Sequence, residues 1–339
     1  MRSSIRFVRS PHPVAELHCR LWIVIRSLSA LLLLVPSAAM RTQGAVWQPS
    51  AGHTQVAIWP GKAPEAHSVA GPEFAKSSGR EFLVAGRSVI GVDNVSQPTM
   101  TVYSPSAKNT GVAIVVFPGG GYQTLAIDLE GSEVCDWLTP RGITCVLLKY
   151  RVPHTGPLWD QECGCFTDTK SSMALVDAQR TMGLVRSHAA EWHIDPHKIG
   201  VLGFSAGGHL VAAISTHFEK RLYPVLDAAD KESCRPDFGV ALYPGHLWID
   251  KNKFELNPQI RVTSRTPPTF LVQAENDPVD SVNNSLVYYR ALKTAGVPAE
   301  MHLYADGKHA FGLRRTSLPI TDWPELMHRW LVTIGMLPE

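Results

Sequence analysis

Ser205 stands in the string GFSAG, directly after the apolar run Ile199–Phe204 and directly before the helix-like stretch AGGHLVAAISTHF. A serine hydroxyl is a weak nucleophile until a base takes its proton. The pattern G-x-S-x-G at a strand–turn–helix junction solves the placement half of that problem. Its flanking glycines allow a turn too sharp for larger side chains, and the serine projects from the tip at the positive end of the following helix. The base must come from elsewhere. Of the fourteen histidines, His302 falls inside a strand pattern, His328 on a helix, and His209 on the helix of Ser205 itself, where it is expected to point away. His309 sits in YADGKHAFG, a glycine-bounded loop just beyond an apolar strand pattern. Loops at the carboxyl ends of strands are where an open α/β sheet keeps its functional groups. His309 is therefore the expected base. The acid that orients it should lie between serine and histidine in chain order. The stretch TFLVQAENDPVD offers Glu275, Asp277 and Asp280. Asp277 is the favoured acceptor for the Nδ1 proton of His309, with Asp280 as the alternative.

A second stretch, VVFPGGGYQTLA, raises a different question, because Gly119, Gly120 and Gly121 follow a strand and pack no side chain. Consecutive glycines cost backbone entropy, so their use here is close approach of something to bare main chain. The amides of Gly120 and Gly121, with that of Ala206, are expected to bind the negative oxygen of a tetrahedral intermediate. The chemistry expected of the whole set is nucleophilic acyl transfer. Ser205 attacks an ester carbonyl while His309 takes its proton, the alcohol leaves, and water repeats the sequence on the acyl-enzyme.

These groups need a scaffold. Apolar, β-rich runs occur at Met100–Tyr103, Val112–Phe117, Ile143–Tyr150, Ile199–Phe204, Phe238–Tyr243, Phe270–Gln273 and Glu300–Tyr304. Between several of them lie helical patterns. Ala174, Ala178, Met182, Val185 and Ala189 recur at helical spacing, and Trp323–Ile334 reads as a closing helix. Near-continuous apolar strands alternating with helices indicate an α/β fold, a mostly parallel sheet with helices on both faces.

The chain has 339 residues, 45% of them hydrophobic and 18% charged, which suits a packed body and excludes wholesale disorder. Its net charge of +2 is unevenly spread. Residues 1–40 hold five arginines and one glutamate, so the remainder has 27 basic against 29 acidic residues. That balance provides no electrostatic footprint for nucleic acid. Arg2, Arg6, Arg9, Arg20 and Arg26 precede LSALLLLVPSAA, the order of a secretory signal peptide. The expected organisation is a signal peptide over 1–39, an N-terminal arm over 40–97 and a catalytic domain over 98–339. The mature protein is expected to be secreted or periplasmic, with no stable membrane association. An uncleaved anchor and a start at Met40 are the alternatives.

Six cysteines are present. Cys19 leaves with the signal. Cys135 and Cys145, in apolar surroundings, read as buried small hydrophobes. Cys163, Cys165 and Cys234 lie in polar sequence, and a pair among them is the expected disulfide. No Cys/His spacing completes a metal site. Tyr122, Trp159 and Trp248 are candidates for stacking on sugar or aromatic acyl groups, and equally for packing. The segments RVPHTGPLWDQECGCF and Tyr243–Pro267 are the expected pocket rim.

Taken together, PGGGYQTLAIDLEG, LLKYRVP, ALVDAQRTMGLVRSHAAEWHIDPHKIGVLGFSAGGHL, QAENDPVD and MHLYADGKHAFGL resemble secreted bacterial α/β-hydrolases of the acetyl xylan esterase and feruloyl esterase type. The resemblance runs from about residue 55 to the C-terminus. It implies the α/β-hydrolase fold and ester hydrolysis on acylated plant polysaccharide. Ser205, Asp277 and His309 match the triad positions of that family, and Gly120 and Gly121 match its oxyanion loop. It implies no metal or organic cofactor. Acetyl esters are the first expectation, with feruloyl or general short-chain esters next. A peptidase of this fold needs a gating domain and a lipase an apolar lid, and the sequence has neither pattern. A non-catalytic binding protein of the same fold is the rival of another class, and it usually lacks a triad member.

Overall fold

Short runs of β-branched and aliphatic residues with no polar alternation suit strands covered on both sides. The structure, a computed structural model, describes residues 45–64, 71–106, 108–152, 170–249 and 253–339. The expected signal segment, Trp159, Cys163, Cys165 and most of RVPHTGPLWDQECGCF lie outside the described residues. The strands of the main sheet are β1 (Gln55–Ala57), β2 (Thr99–Tyr103), β3 (Ala113–Phe117), β4 (Thr144–Lys149), β5 (Ile199–Phe204), β6 (Gly239–Leu242), β7 (Thr269–Ala274) and β8 (Ala299–Tyr304). Their spatial order is β1-β2-β4-β3-β5-β6-β7-β8. β2 alone is reversed, pairing antiparallel with β1 and with β4, and the other seven strands point the same way. Every residue of β3, β4, β5, β6 and β7 is buried, which is why their sequences read as largely apolar runs, with Thr144, Lys149, Thr269 and Gln273 as the buried polar members.

The helices are α1 (Glu133–Leu138), α2 (Lys170–Ser187), α3 (Ala206–Ile214), α4 (Asn283–Thr294) and α5 (Trp323–Thr333). α3 packs on β3, β5 and β6, and α4 on β7 and β8. Several helices differ from expectation: α1 is not among the expected elements, and α2 stops at Ser187, short of Ala189. α3 stops at Ile214, short of Phe218, where the Thr216 hydroxyl bonds back to the Ala212 carbonyl at 2.8 Å and competes with the helical ladder. α4 is not among the expected elements, because its polar start, Asn283-Asn284-Ser285, breaks the apolar period although Asn284 and Ser285 are buried.

Register does the positioning. Gly203 of β5 pairs with Phe117 of β3, so the chain leaves both strands at the same level, where the strand order changes direction. Ala274 of β7 pairs with Tyr304 of β8, which brings the loops carrying Asp277 and His309 side by side. A smaller antiparallel sheet joins Phe74–Ser77, Ile90–Asp93 and Thr124–Ala126. It carries residues 74–93 to the same end of the molecule.

One cysteine expectation is overturned. Cys135 of α1 and Cys145 of β4 form a disulfide, with their Cα atoms 5.2 Å apart. Apolar surroundings suit a buried cystine as well as two buried thiols, and ten residues of separation do not reveal a helix folded back on its following strand. Cys234 is a buried free thiol and so is not a member of the expected pair.

Candidate active site

β5 ends and α3 begins without a connecting loop, and Ser205 takes the whole turn with φ 53° and ψ −117°. That backbone region costs a non-glycine residue about 1–3 kcal/mol, and surrounding structure must hold it. The Ser205 amide is tied to the Leu242 carbonyl at 3.0 Å. Glycine is required on either side by contact. A Cβ on Gly203 would lie 2.2 Å from the Gly207 carbonyl oxygen, and one on Gly207 would lie 2.1 Å from the Phe117 carbonyl oxygen.

His309 Nε2 is 3.0 Å from Ser205 Oγ, and His309 Nδ1 is 2.7 Å from Asp277 Oδ2. Asp277 is held in turn. Its Oδ1 accepts the amides of Val279 at 2.8 Å and Asp280 at 2.9 Å, and Gln273 Nε2 donates to Oδ2 at 3.2 Å. The hydroxyl of Ser285 on α4 donates to Gln273 Oε1 at 2.7 Å and so sets which end of that amide faces the acid. Asn276 Oδ1 accepts the amides of Gly307 and Lys308 at 3.1 and 2.9 Å, binding the histidine loop to the acid loop. Burial opposes the charged form of His309. The hydrogen bond to Asp277 and the charges of Asp277, Asp280 and Glu130 outweigh it, so the imidazole pKa is raised.

Of the three candidate acids, Asp277 alone meets Nδ1. Glu275 is exposed. Asp280 comes to the opposite side of the ring, with Oδ2 3.4 Å from Ser205 Oγ and 3.8 Å from His309 Nε2. Burial, with repulsion from Asp277, pushes its carboxyl up to about 6 against the pull of His309 and Ser205.

The glycine loop is pinned from beneath. Glu130 is 2% exposed and uses both oxygens, accepting the Gly119 amide at 2.7 Å on Oε2 and the Tyr243 hydroxyl at 2.8 Å on Oε1. Tyr243 in turn lies edge-on to the His309 ring, with centroids 4.8 Å apart. The Tyr150 hydroxyl donates to the Pro118 carbonyl at 2.5 Å. Gly120 has φ +131° and makes the turn that returns the Gln123 and Thr124 amides to its own carbonyl. Among the described residues no backbone carbonyl takes up the Gly120 or Gly121 amide. Sequence reasoning missed Glu130, Gln273, Asn276 and Tyr243. An acid inside the apolar stretch LAIDLEG is a faint signal for the first, and the sequence has none for the others.

Ser205, His309, Asp280, Gly120 and Gly121 open onto a cavity of about 530 Å³. His246 lines it from the expected rim segment, and Lys76, Phe82 and Val89 from the stretch before residue 98. Phe82 and Val279 stand 46% and 66% exposed at this cavity and make its rim apolar. Tyr122 does not face it. Tyr122 is fully buried, with its hydroxyl 2.7 Å from His209 Nδ1, so both residues belong to the packing behind the loop. Trp248 is not among the lining residues and donates its indole N–H to the Lys253 carbonyl at 2.8 Å. His302 pairs with Glu300 at 2.8 Å on β8, away from the serine. Among the described residues no three of His, Cys, Asp and Glu are grouped to hold a metal.

Residues 168–313 match a family described as having the alpha/beta hydrolase fold. The chain is 34% identical over 220 residues to the acetylxylan esterase of Xylanibacter ruminicola, covering 60% of this chain and 42% of that protein. It is 28% identical over 215 residues to endo-1,4-beta-xylanase B of Butyrivibrio fibrisolvens, covering 58% of this chain and 32% of that protein. It thus spans less than half the length of either curated relative. Among solved structures, the acetyl ester-xyloside bifunctional hydrolase of Caldicellulosiruptor lactoaceticus superposes with a TM-score of 0.64 at 31% identity, covering 84% of this chain and 97% of that one.

Proposed function

This chain belongs to the α/β-hydrolase family, and from that premise we propose that it is a serine carboxylesterase acting on acetyl esters of plant polysaccharide such as xylan. The observation that carries the reading is the relay Asp277–His309–Ser205, with contacts of 2.7 and 3.0 Å beside the Gly120–Gly121 amides in one open cavity. In the proposed reaction His309 Nε2 takes the Ser205 proton as Oγ bonds to the ester carbon. Asp277 keeps the Nδ1 proton in place and stabilises the imidazolium that forms. The amides of Gly120, Gly121 and Ala206 take the developing oxyanion, each such donor being worth about 3 kcal/mol of barrier. His309 then protonates the leaving alcohol, and water releases the acid from Ser205.

The acetyl preference rests on similarity to the acetylxylan esterase and the acetyl ester-xyloside hydrolase. A cavity of about 530 Å³ has room for a sugar residue beside a small acyl group. We also infer that residues 1–39 direct export and are removed, so the enzyme works outside the cytoplasm. N-terminal sequencing of protein from the medium or periplasm checks this, with a start near residue 39 or 40 expected.

Acetate release from acetylated xylan, measured beside Ser205→Ala and beside methyl ferulate, tests the function. Release that disappears in Ser205→Ala supports the proposal. Ferulate release instead moves the specificity to aromatic acyl groups. No turnover of either substrate or of an aryl acetate overturns it in favour of a binding protein.

A further inference from the structure

Asp280 has no part in the relay, yet its carboxylate reaches the serine and the far nitrogen of the base. Oδ2 lies 3.4 Å from Ser205 Oγ and 3.8 Å from His309 Nε2, with the side chain only 14% exposed and turned into the cavity. Ordinary packing does not favour this position. The carboxylate gives up most of its water, and Asp277 adds like charge nearby, so a neutral residue would cost less there. A negative group held beside a nucleophile and facing the cavity serves something that donates hydrogen bonds there.

We infer that Asp280 orients the water that cleaves the acyl-enzyme; this rests on the reading of Ser205 as nucleophile and His309 as base. Once Ser205 is acylated its hydroxyl proton is gone, and two acceptors remain on the open side, His309 Nε2 and Asp280 Oδ2, 3.8 Å apart. A water oxygen about 2.8 Å from each would see them at an angle of about 85°, so both O–H groups can point within roughly 10° of an acceptor. Only water fills both contacts with one oxygen, because a simple alcohol has a single O–H.

In the step itself the O–H bond facing His309 breaks, its proton goes to Nε2, and the water oxygen bonds to the acyl carbon. The second O–H stays intact and donates to Asp280, which neither gains nor loses a proton. Collapse then breaks the bond from the acyl carbon to Oγ, and the imidazolium returns its proton to Oγ. Free serine and the carboxylic acid result, with one water consumed. Asp280 therefore acts in the second half of the cycle, and hydrolysis is favoured over acyl transfer to alcohols.

The test is stopped-flow hydrolysis of p-nitrophenyl acetate by the full chain, comparing wild type, Asp280→Ala, Asp280→Asn and Ser205→Ala. For Asp280→Ala we expect a p-nitrophenol burst equal to the enzyme concentration, an acylation rate within threefold of wild type, and steady-state turnover lowered at least tenfold. With methanol added, the ratio of methyl acetate to acetate should rise at least fivefold. Asp280→Asn keeps the shape of the loop should the alanine variant not fold, and should show the same selective slowing by at least threefold. Equal slowing of both phases, or unchanged deacylation in either folded variant, overturns the inference while leaving Ser205 as nucleophile. Turnover that survives in Ser205→Ala defeats the underlying reading instead.

Discussion

Replacing Glu130 by glutamine tests whether the glycine loop is held by chemistry or merely by chain geometry. Glu130 accepts the Gly119 amide at 2.7 Å and the Tyr243 hydroxyl at 2.8 Å from a position 2% exposed. Glutamine has nearly the same shape and keeps one oxygen for the Gly119 amide, but it has no second acceptor for Tyr243. A buried donor left without its acceptor costs about 1–3 kcal/mol. Burial already pushes the Glu130 carboxyl up, against the hydrogen bond from Tyr243, the charge of His309 and the Gly119 amide. Removing the charge recovers part of that penalty, so the net loss of stability should be only about 1 kcal/mol. Catalysis should suffer more. The neutral acceptor holds Gly119 less firmly, and misplacing one oxyanion donor costs up to about 3 kcal/mol, roughly a hundredfold in rate. The expected result is kcat lowered 10- to 100-fold on an aryl acetate, with KM changed less than threefold. Glu130 is also among the charges that raise the His309 pKa, so its loss should move the acid limb of the kcat/KM profile to lower pH. A folded Glu130→Gln enzyme with kcat within threefold of wild type and an unmoved acid limb would refute the reasoning.

Other expectations follow from the same geometry. The Asp280 carboxyl is raised from 3.8 to about 6 in the folded protein, so the folded state holds the extra proton and stability falls as pH rises from about 4 through 6. That gap corresponds to roughly 3 kcal/mol as an upper bound, so Asp280→Asn should stabilise the protein against urea at pH 7.5 and hardly at all at pH 4; equal gains at both would contradict it. His209 and His246 move the other way, lowered by burial from 6.5 to about 3 and about 4. Their contribution is present above 6.5 and lost as pH falls, at up to about 1.4 kcal/mol per pH unit for each, so His246→Gln should flatten the acid side of the stability curve. Arg314, 5% exposed, donates to the Arg87 and Ser88 carbonyls at 2.9 Å and to Glu133, binding the small hairpin of Leu83–Val84 and Arg87–Ser88, between Phe82 and Val89, to the chain just after His309. Arg314→Ala should cost about 3–5 kcal/mol by urea denaturation and raise KM more than it lowers kcat, whereas unchanged KM would detach that hairpin from substrate binding.

Local chemistry made the sheet and the central residues legible in the sequence. A short apolar run such as Ile199–Phe204 suits a buried strand by its length and composition, and a glycine-flanked serine directly after it allows few conformations besides the one observed. His309 and Asp277 were readable because both follow strands, and in a parallel sheet the loops after strands gather at one edge. What the sequence could not carry is anything set by a partner distant along the chain. Cys135 and Cys145 read as hydrophobes because a disulfide depends on where α1 lies against β4. Glu130 is one acid among many until the fold brings the Gly119 amide and Tyr243 to its two oxygens. Asp277 and Asp280 are three residues apart on one loop, and periodicity has no meaning in a loop. Only the tertiary structure puts the first on Nδ1 and the second beside Nε2, because the amides of Val279 and Asp280 fold the loop around the Asp277 carboxylate. Residue types and order along the chain determined which groups could react. The register of β3 with β5 and of β7 with β8 decided which of them meet.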